Sequence, residues 1–173
     1  MTKTDEQTGL LQLMALCDGT APPAPIQELL DFDLVDVTEG TATFRYRPDA
    51  RHLNPLGTVH GGVAMTLLDS AAGAAVHSTL SDGSGCTTLE TKVNLVRAVR
   101  PTTGPMLAEG SVVHRGRTVA TAESQLVAGD RTLYAHATST CLILHDSDRR
   151  DPPMPLLGPP EPTRQRFEAS RRS

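Results

Sequence analysis

At 173 residues the chain is long enough for one domain with a substantial core and too short for two comfortable ones. Its formal charge of −4, with acids and bases mixed along most of its length, supplies no broad basic face and argues against nucleic acid as a partner. Three cysteines, Cys17, Cys86 and Cys141, stand far apart and in no CxxC or Cys/His spacing, which points to reduced thiols rather than a disulfide framework or a zinc site.

The opening MTKTDEQTGLLQLMALCDGT lacks the basic, apolar, small-residue order of a signal peptide. No stretch approaches the ~18 uninterrupted apolar residues of a membrane helix. A soluble, cytoplasmic protein with no membrane partner is the expectation.

From Asp5 to Cys17 the apolar residues Leu10, Leu11, Leu13, Met14 and Leu16 recur at helical spacing, and the APPAP that follows ends any helix. A second, short helix is expected over Pro25 to Leu30, with proline at its first position. Residues 1–31 thus read as an N-terminal helix and linker. Leu34, Val35 and Val37, then Glu39-Gly40, then the alternating TATFRYR read as a β-hairpin turning at Glu39-Gly40. The Asn-, Pro- and Gly-rich RHLNPLGTVHGG is loop chemistry. It runs into VAMTLLDSAAGAAVHSTL, apolar on nearly every side, hence a buried helix. Four strand-like stretches follow, roughly Cys86 to Val99, Met106 to His114, Thr118 to Val127 and Thr132 to Leu144, with turns short enough to imply a meander. Alternation is visible in Leu89, Thr91, Val93 and Leu95, and in Ala135, Ala137, Ser139 and Cys141.

The predicted class for residues 32–145 is therefore α+β, one antiparallel sheet wrapped around one long helix. A single curved sheet covers only part of an all-round apolar helix, so a second subunit is expected against the rest. Residues 146–173, dense in proline and arginine, read as a disordered tail.

Chemistry concentrates in one segment. Gly61 and Gly62 open the long helix, where unpaired N–H groups and the helix dipole make an oxyanion site, with Gly61 the candidate donor. The bland alternative is tight packing of the helix start. Asp69 stands eight residues beyond Gly61 in the middle of an apolar helix. A carboxylate is costly there and far from any cap, so it is a candidate base or nucleophile. Eight helical residues rise by about 12 Å, too far for both groups to serve one carbonyl from one helix. Antiparallel central helices in a dimer would bring Gly61 of one copy to Asp69 of the other. His60, beside the glycines, is placed in a supporting role. The six histidines fall in no metal-ligand pattern, and GxSxG, GxGxxG and phosphate-loop motifs are missing, so no metal and no cofactor are expected. Arg97, Arg100, Arg115 and Arg117 flank strand ends, where a phosphate or plain solvent would meet them.

Over Phe32 to Leu144 the sequence resembles the phenylacetate-degradation thioesterases of the hotdog superfamily. Its most specific part is the run from Asn54 through Pro55, Gly57 and His60 to Gly61-Gly62, with Asp69 at its fixed distance. The resemblance implies a hotdog fold, assembly as homodimers and tetramers, and hydrolysis of acyl- or aryl-CoA thioesters. It makes Asn54, Gly61 and Asp69 the catalytic set, Asn54 positioning water or the substrate carbonyl. Beside what the resemblance implies, His60, Gly62 and Arg97 are expected as substrate contacts from their places at the helix start and a strand end. Some members carry a hydroxyl one helical turn after the carboxylate. Gly73 stands there, so the resemblance hands that role to Thr87, Thr88 or Thr91. Two rivals compete: a hotdog hydratase or dehydratase, which needs a histidine paired with its carboxylate, and a non-catalytic acyl-CoA-binding dimer, which has no need of a buried aspartate.

Overall fold

The computed structural model describes residues 8–145. Six antiparallel strands form one sheet in the order β1-β2-β4-β5-β6-β3. The strands are β1 (Phe32–Thr38), β2 (Thr41–Tyr46), β3 (Ser84–Leu95), β4 (Met106–Arg115), β5 (Val119–Ala128) and β6 (Leu133–His145). Helix α3 (Gly61–His77) lies along the concave face and packs against every strand from β2 to β6. This is the hotdog arrangement.

Strand alternation builds the core. Ala42, Phe44 and Tyr46 of β2, Met106 and Ala108 of β4, and Ala135, Ala137, Ser139, Cys141 and Ile143 of β6 all point at the helix and are buried. Against them α3 buries Leu67, Leu68, Ala71, Ala75 and Val76. Small residues on both sides bring helix and sheet close together. At Gly110 a Cβ would run into the Ala71 carbonyl, so only glycine fits that contact.

The topology departs from a simple meander. Of the four strands after the long helix only β4, β5 and β6 run consecutively; β3 crosses to the far edge and pairs with β6, while β2 pairs with β4. Short connections could not reveal this, because the crossing segment 96–105 is itself short and irregular. β3 also stops at Leu95 rather than Val99: the N–H groups of Val96 and Arg97 both reach the Tyr134 carbonyl, and Val99 gives its carbonyl to Val59. The alternating row Leu89, Thr91, Val93, Leu95 is interrupted as well. A bulge between Thr88 and Glu90 turns Leu89 outward, 60% exposed, and Leu95 is 52% exposed.

Helix α3 is covered on most sides and open on one. Met65 is exposed, and Gly62, Thr66, Asp69 and Gly73 are half-buried; their spacing of three and four puts them on a single stripe. Helix α1 (Thr8–Cys17) docks at the C-terminal end of α3. There Gly9 N–H donates to Leu80 O at 3.2 Å, Gln12 Oε1 lies 2.9 Å from His77 Nε2, and Leu13 enters the core. Helix α2 (Pro25–Leu30) closes on an αL residue, Asp31, before β1. The tail expected over residues 146–173 and the first turn of the expected N-terminal helix lie outside the described residues.

Candidate active site

The start of α3 is built by the loop before it. Asn54 Oδ1 accepts from Leu56 N–H at 2.9 Å and Thr58 N–H at 3.3 Å, and its Nδ2 donates to Thr58 Oγ1 at 2.9 Å. The side chain therefore folds the loop, with Gly57 in the left-handed region at φ 75°. Asn54 has spent its oxygen; what remains is an N–H to donate. His60 N–H is fixed by His52 O at 2.8 Å, while the His52 ring, buried, meets Tyr46 Oη at 2.9 Å. These contacts hold the helix start against β2.

His60 is the N-cap, and its Nδ1 accepts from Gly62 N–H at 2.9 Å. The two glycines are thereby distinguished. Gly62 N–H is consumed by the cap, whereas Gly61 N–H has no acceptor among the described residues. Gly61 opens onto a cavity of about 280 Å³ between α3 and the sheet. Its floor is apolar, from Ala64, Leu67 and Leu126, with Asn54 and Thr58 adding polar groups. Leu95 and Arg97, both exposed, stand at its mouth, and the Arg97 guanidinium lies 5.9 Å from the centre of the Tyr134 ring.

Asp69 lies on the open stripe of α3, outside this cavity. Its Oδ1 accepts from Thr88 Oγ1 at 2.9 Å and from Thr91 Oγ1 at 3.1 Å. On a regular strand two residues three apart face opposite sides. The bulge at Leu89 removes that half-step, and both hydroxyls reach the same carboxylate oxygen. Oδ2 accepts no hydrogen bond among the described residues. Thr91 Oγ1 also lies 3.1 Å from Ser139 Oγ on β6. Nearby, burial pushes the Cys86 thiol up to about 12, with Cys141 and the Asp69 charge adding to it. Burial also raises Cys141, as does Asp69, and the Thr88 hydrogen bond works against them. Both thiols are protonated and unreactive in this setting.

Of the expected residues, the fold thus gathers Asn54, Gly61 and Arg97 around one cavity, and Asp69, Thr88 and Thr91 in a second group. Thr87, exposed and paired with Leu142, takes no part in the latter. Ser139 was not among the candidates. Its signal in the sequence was a hydroxyl in the inward row of β6, whose other members are apolar. Among the described residues no three His, Cys, Asp or Glu side chains come together as a metal site, and no helix is long and apolar enough to cross a membrane.

A sequence model of the thioesterase superfamily matches residues 56–135, the stretch running from the helix-start loop into β6. A Halobacterium salinarum protein named as an esterase candidate is 38% identical over 86 residues, 50% of this chain; the match spans 56% of that relative's length. Among solved structures, a phenylacetic-acid-degradation-related thioesterase candidate from Ralstonia eutropha is 29% identical, with a TM-score of 0.68 over 75% of this chain and 98% of that one. A Streptococcus mutans protein, solved with acetyl-CoA bound, is 28% identical, with a TM-score of 0.60 over 66% of this chain and 89% of its own.

Proposed function

We propose that the chain is a member of the thioesterase superfamily, whose sequence model matches residues 56–135, and that it hydrolyses acyl- or aryl-CoA thioesters to the free acid and CoA at a site shared between two copies. The observation that carries this reading is the division of labour along α3. Gly61, whose N–H has no acceptor among the described residues, lines a cavity, and Asp69, held through one oxygen, lies on an open face with no hydrogen bond to its other oxygen among the described residues.

In this reading the thioester carbonyl oxygen points at Gly61 N–H, where the helix dipole favours the negative charge that develops. Asn54 adds its remaining N–H to the substrate or to water. Asp69 Oδ2 of the other copy takes the proton of the attacking water, or attacks the carbonyl itself, breaking the C–S bond to release CoA thiolate and leaving a mixed anhydride that water hydrolyses. In the water route the tetrahedral oxyanion collapses, the C–S bond breaks, and the proton held by Asp69 passes to the leaving thiolate. Arg97 at the cavity mouth suits a CoA phosphate. The acetyl-CoA bound by the Streptococcus mutans protein supports a CoA ester as the ligand class.

Two features support the second copy. The stripe of α3 that carries Asp69 is uncovered, and β3 is a 12-residue edge strand presenting Leu89 and Leu95 to solvent. An edge of that length with exposed leucines is a template for another chain. Two copies meeting there make a homodimer with two equivalent sites; a dimer of dimers is compatible with it. The hydratase or dehydratase alternative calls for a histidine at the carboxylate, and the partners of Asp69 are threonines.

Release of free thiol from a panel of acyl- and aryl-CoA esters tests the reading, comparing the parent with Asp69→Asn. Turnover of at least one ester, reduced about 100-fold or more in the variant, is expected for loss of a positioned base or nucleophile. No turnover on any ester removes the hydrolase reading; turnover unchanged in Asp69→Asn removes the site.

A further inference from the structure

We propose that Ser139 is a positioning residue for Asp69 and acts through Thr91. This deepens the reading above and rests on Asp69 as the reacting carboxylate. Thr91 has a single hydroxyl proton, and the geometry directs it to Asp69 Oδ1 at 3.1 Å. Ser139 Oγ lies 3.1 Å from the same Thr91 oxygen. With the Thr91 proton committed, the proton between the two hydroxyls has to come from Ser139. The chain therefore runs in one direction, from Ser139 to Thr91 to Asp69.

Each link has a cause in the fold. Thr91 and Ser139 are direct partners in the β3–β6 ladder, and both point toward α3. Ser139 is 3% exposed, between inward neighbours Ala137 and Cys141. Alanine at that position would satisfy the apolar row, and a buried hydroxyl there is costly unless it is bonded. A lone threonine hydroxyl rotates; a donor on its oxygen removes the orientations in which its proton leaves the carboxylate. Hydrogen bonds in sequence also polarise one another, so Thr91 becomes a better donor. With Thr88 as the second donor, Oδ1 is pinned and Oδ2 is the oxygen presented to substrate.

A purely structural Ser139 would only staple β3 to β6. The test uses the full chain and the variants Ser139→Ala, Ser139→Thr, Thr91→Val and Asp69→Asn. In protein labelled with 13C at aspartate carboxyls, Asp69→Asn identifies the Asp69 resonance. Ser139→Ala should move that resonance in the same direction as Thr91→Val and by less, and Ser139→Thr should return it toward the parent. In the thiol-release assay Ser139→Ala should lower kcat about fivefold with KM held within about twofold. Ser139→Thr should recover kcat, and Ser139→Ala combined with Thr91→Val should be no worse than Thr91→Val alone. An Asp69 resonance unmoved in folded Ser139→Ala overturns the proposal, as do kcat losses that multiply in the double variant. Absence of turnover in the parent would fail the hydrolase reading alone, because the carboxyl resonance still decides whether Ser139 sets the hydrogen bonding of Asp69.

Discussion

The Leu95 side chain covers Gly61: a Cβ built on the glycine would stand 2.7 Å from Leu95 Cδ1. The obstacle is the tip of a side chain that is 52% exposed, and such a tip can swing away. Gly61→Ala should therefore fold, with stability changed by less than about 1 kcal/mol, the gain in helix propensity offsetting the crowding. Turnover should nevertheless fall about tenfold or more, because the new methyl stands beside the N–H proposed to bind the oxyanion. Adding Leu95→Ala separates the two causes. If crowding of Leu95 is the whole effect, the double variant recovers; if the methyl blocks the carbonyl, it does not. Thermal melts and thiol release read the two quantities separately, and unchanged turnover in Gly61→Ala would remove Gly61 from the site.

Gly110 tolerates far less. Here the obstacle to a Cβ is the backbone of Ala71 in the middle of α3, and neither helix nor strand can yield without moving its neighbours. Gly110→Ala should cost about 1–3 kcal/mol, the range of overpacked cores. Gly129, whose Cβ would meet nothing within 4 Å, is the control, and Gly129→Ala should shift stability by less than about 0.5 kcal/mol. Urea midpoints for the two variants check the contrast.

These glycines illustrate which parts of the molecule were legible in the sequence. The apolar run after Gly62 and the alternation of Ala42, Phe44 and Tyr46 carry their periods openly, so helix and hairpin read directly. The placement of β3 beside β6 is set by long-range pairing, which a short connection does not encode. The bulge at Leu89 was hidden for the same reason. Thr-Thr-Leu-Glu-Thr looks like plain alternation, and only the pairing with β6 shows that Thr88 and Thr91 converge on one oxygen. Asp69 was legible because a carboxylate in an apolar helix is anomalous by itself. Asn54 was found by resemblance, and its geometry narrows its role: with Oδ1 tied into the loop it can only donate. Likewise, the paired glycines look equivalent in sequence and become distinct once His60 takes the Gly62 N–H.

Helix α1 is held to α3 partly through His77, and this attachment should weaken in acid. Burial lowers the imidazole's affinity for a proton below the ordinary value of 6.5. The unfolded chain then binds a proton at a pH where the folded chain does not. Stability from the neutral ring is fully present above that ordinary value and is lost as pH falls through it toward the lower folded value. Between about pH 7.5 and about pH 5 the urea midpoint of the parent should fall more than that of His77→Gln, which cannot titrate. Equal slopes for the two proteins would show that the ring makes no such contribution.

Gly73 gives the sharpest test of the second copy. It sits in the middle of α3, where glycine costs about 0.8–1.0 kcal/mol relative to alanine, and a Cβ there would meet nothing within 4 Å in the single chain. Nothing within one copy explains the missing side chain. It lies one helical turn past Asp69 on the same open stripe, where an antiparallel helix from a second copy would need close approach. In an isolated chain Gly73→Leu should be harmless. Across a close helix contact its side chain has no room, and the dimer should dissociate into folded monomers. Because Gly61 and Asp69 of one chain are too far apart along α3 to serve one carbonyl, those monomers should lose turnover about 100-fold or more even though every candidate side chain is intact. Light scattering and thiol release on the same samples check both halves. A parent that is monomeric and fully active, or a Gly73→Leu protein with parental mass and rate, would show that the site does not need a partner across this stripe.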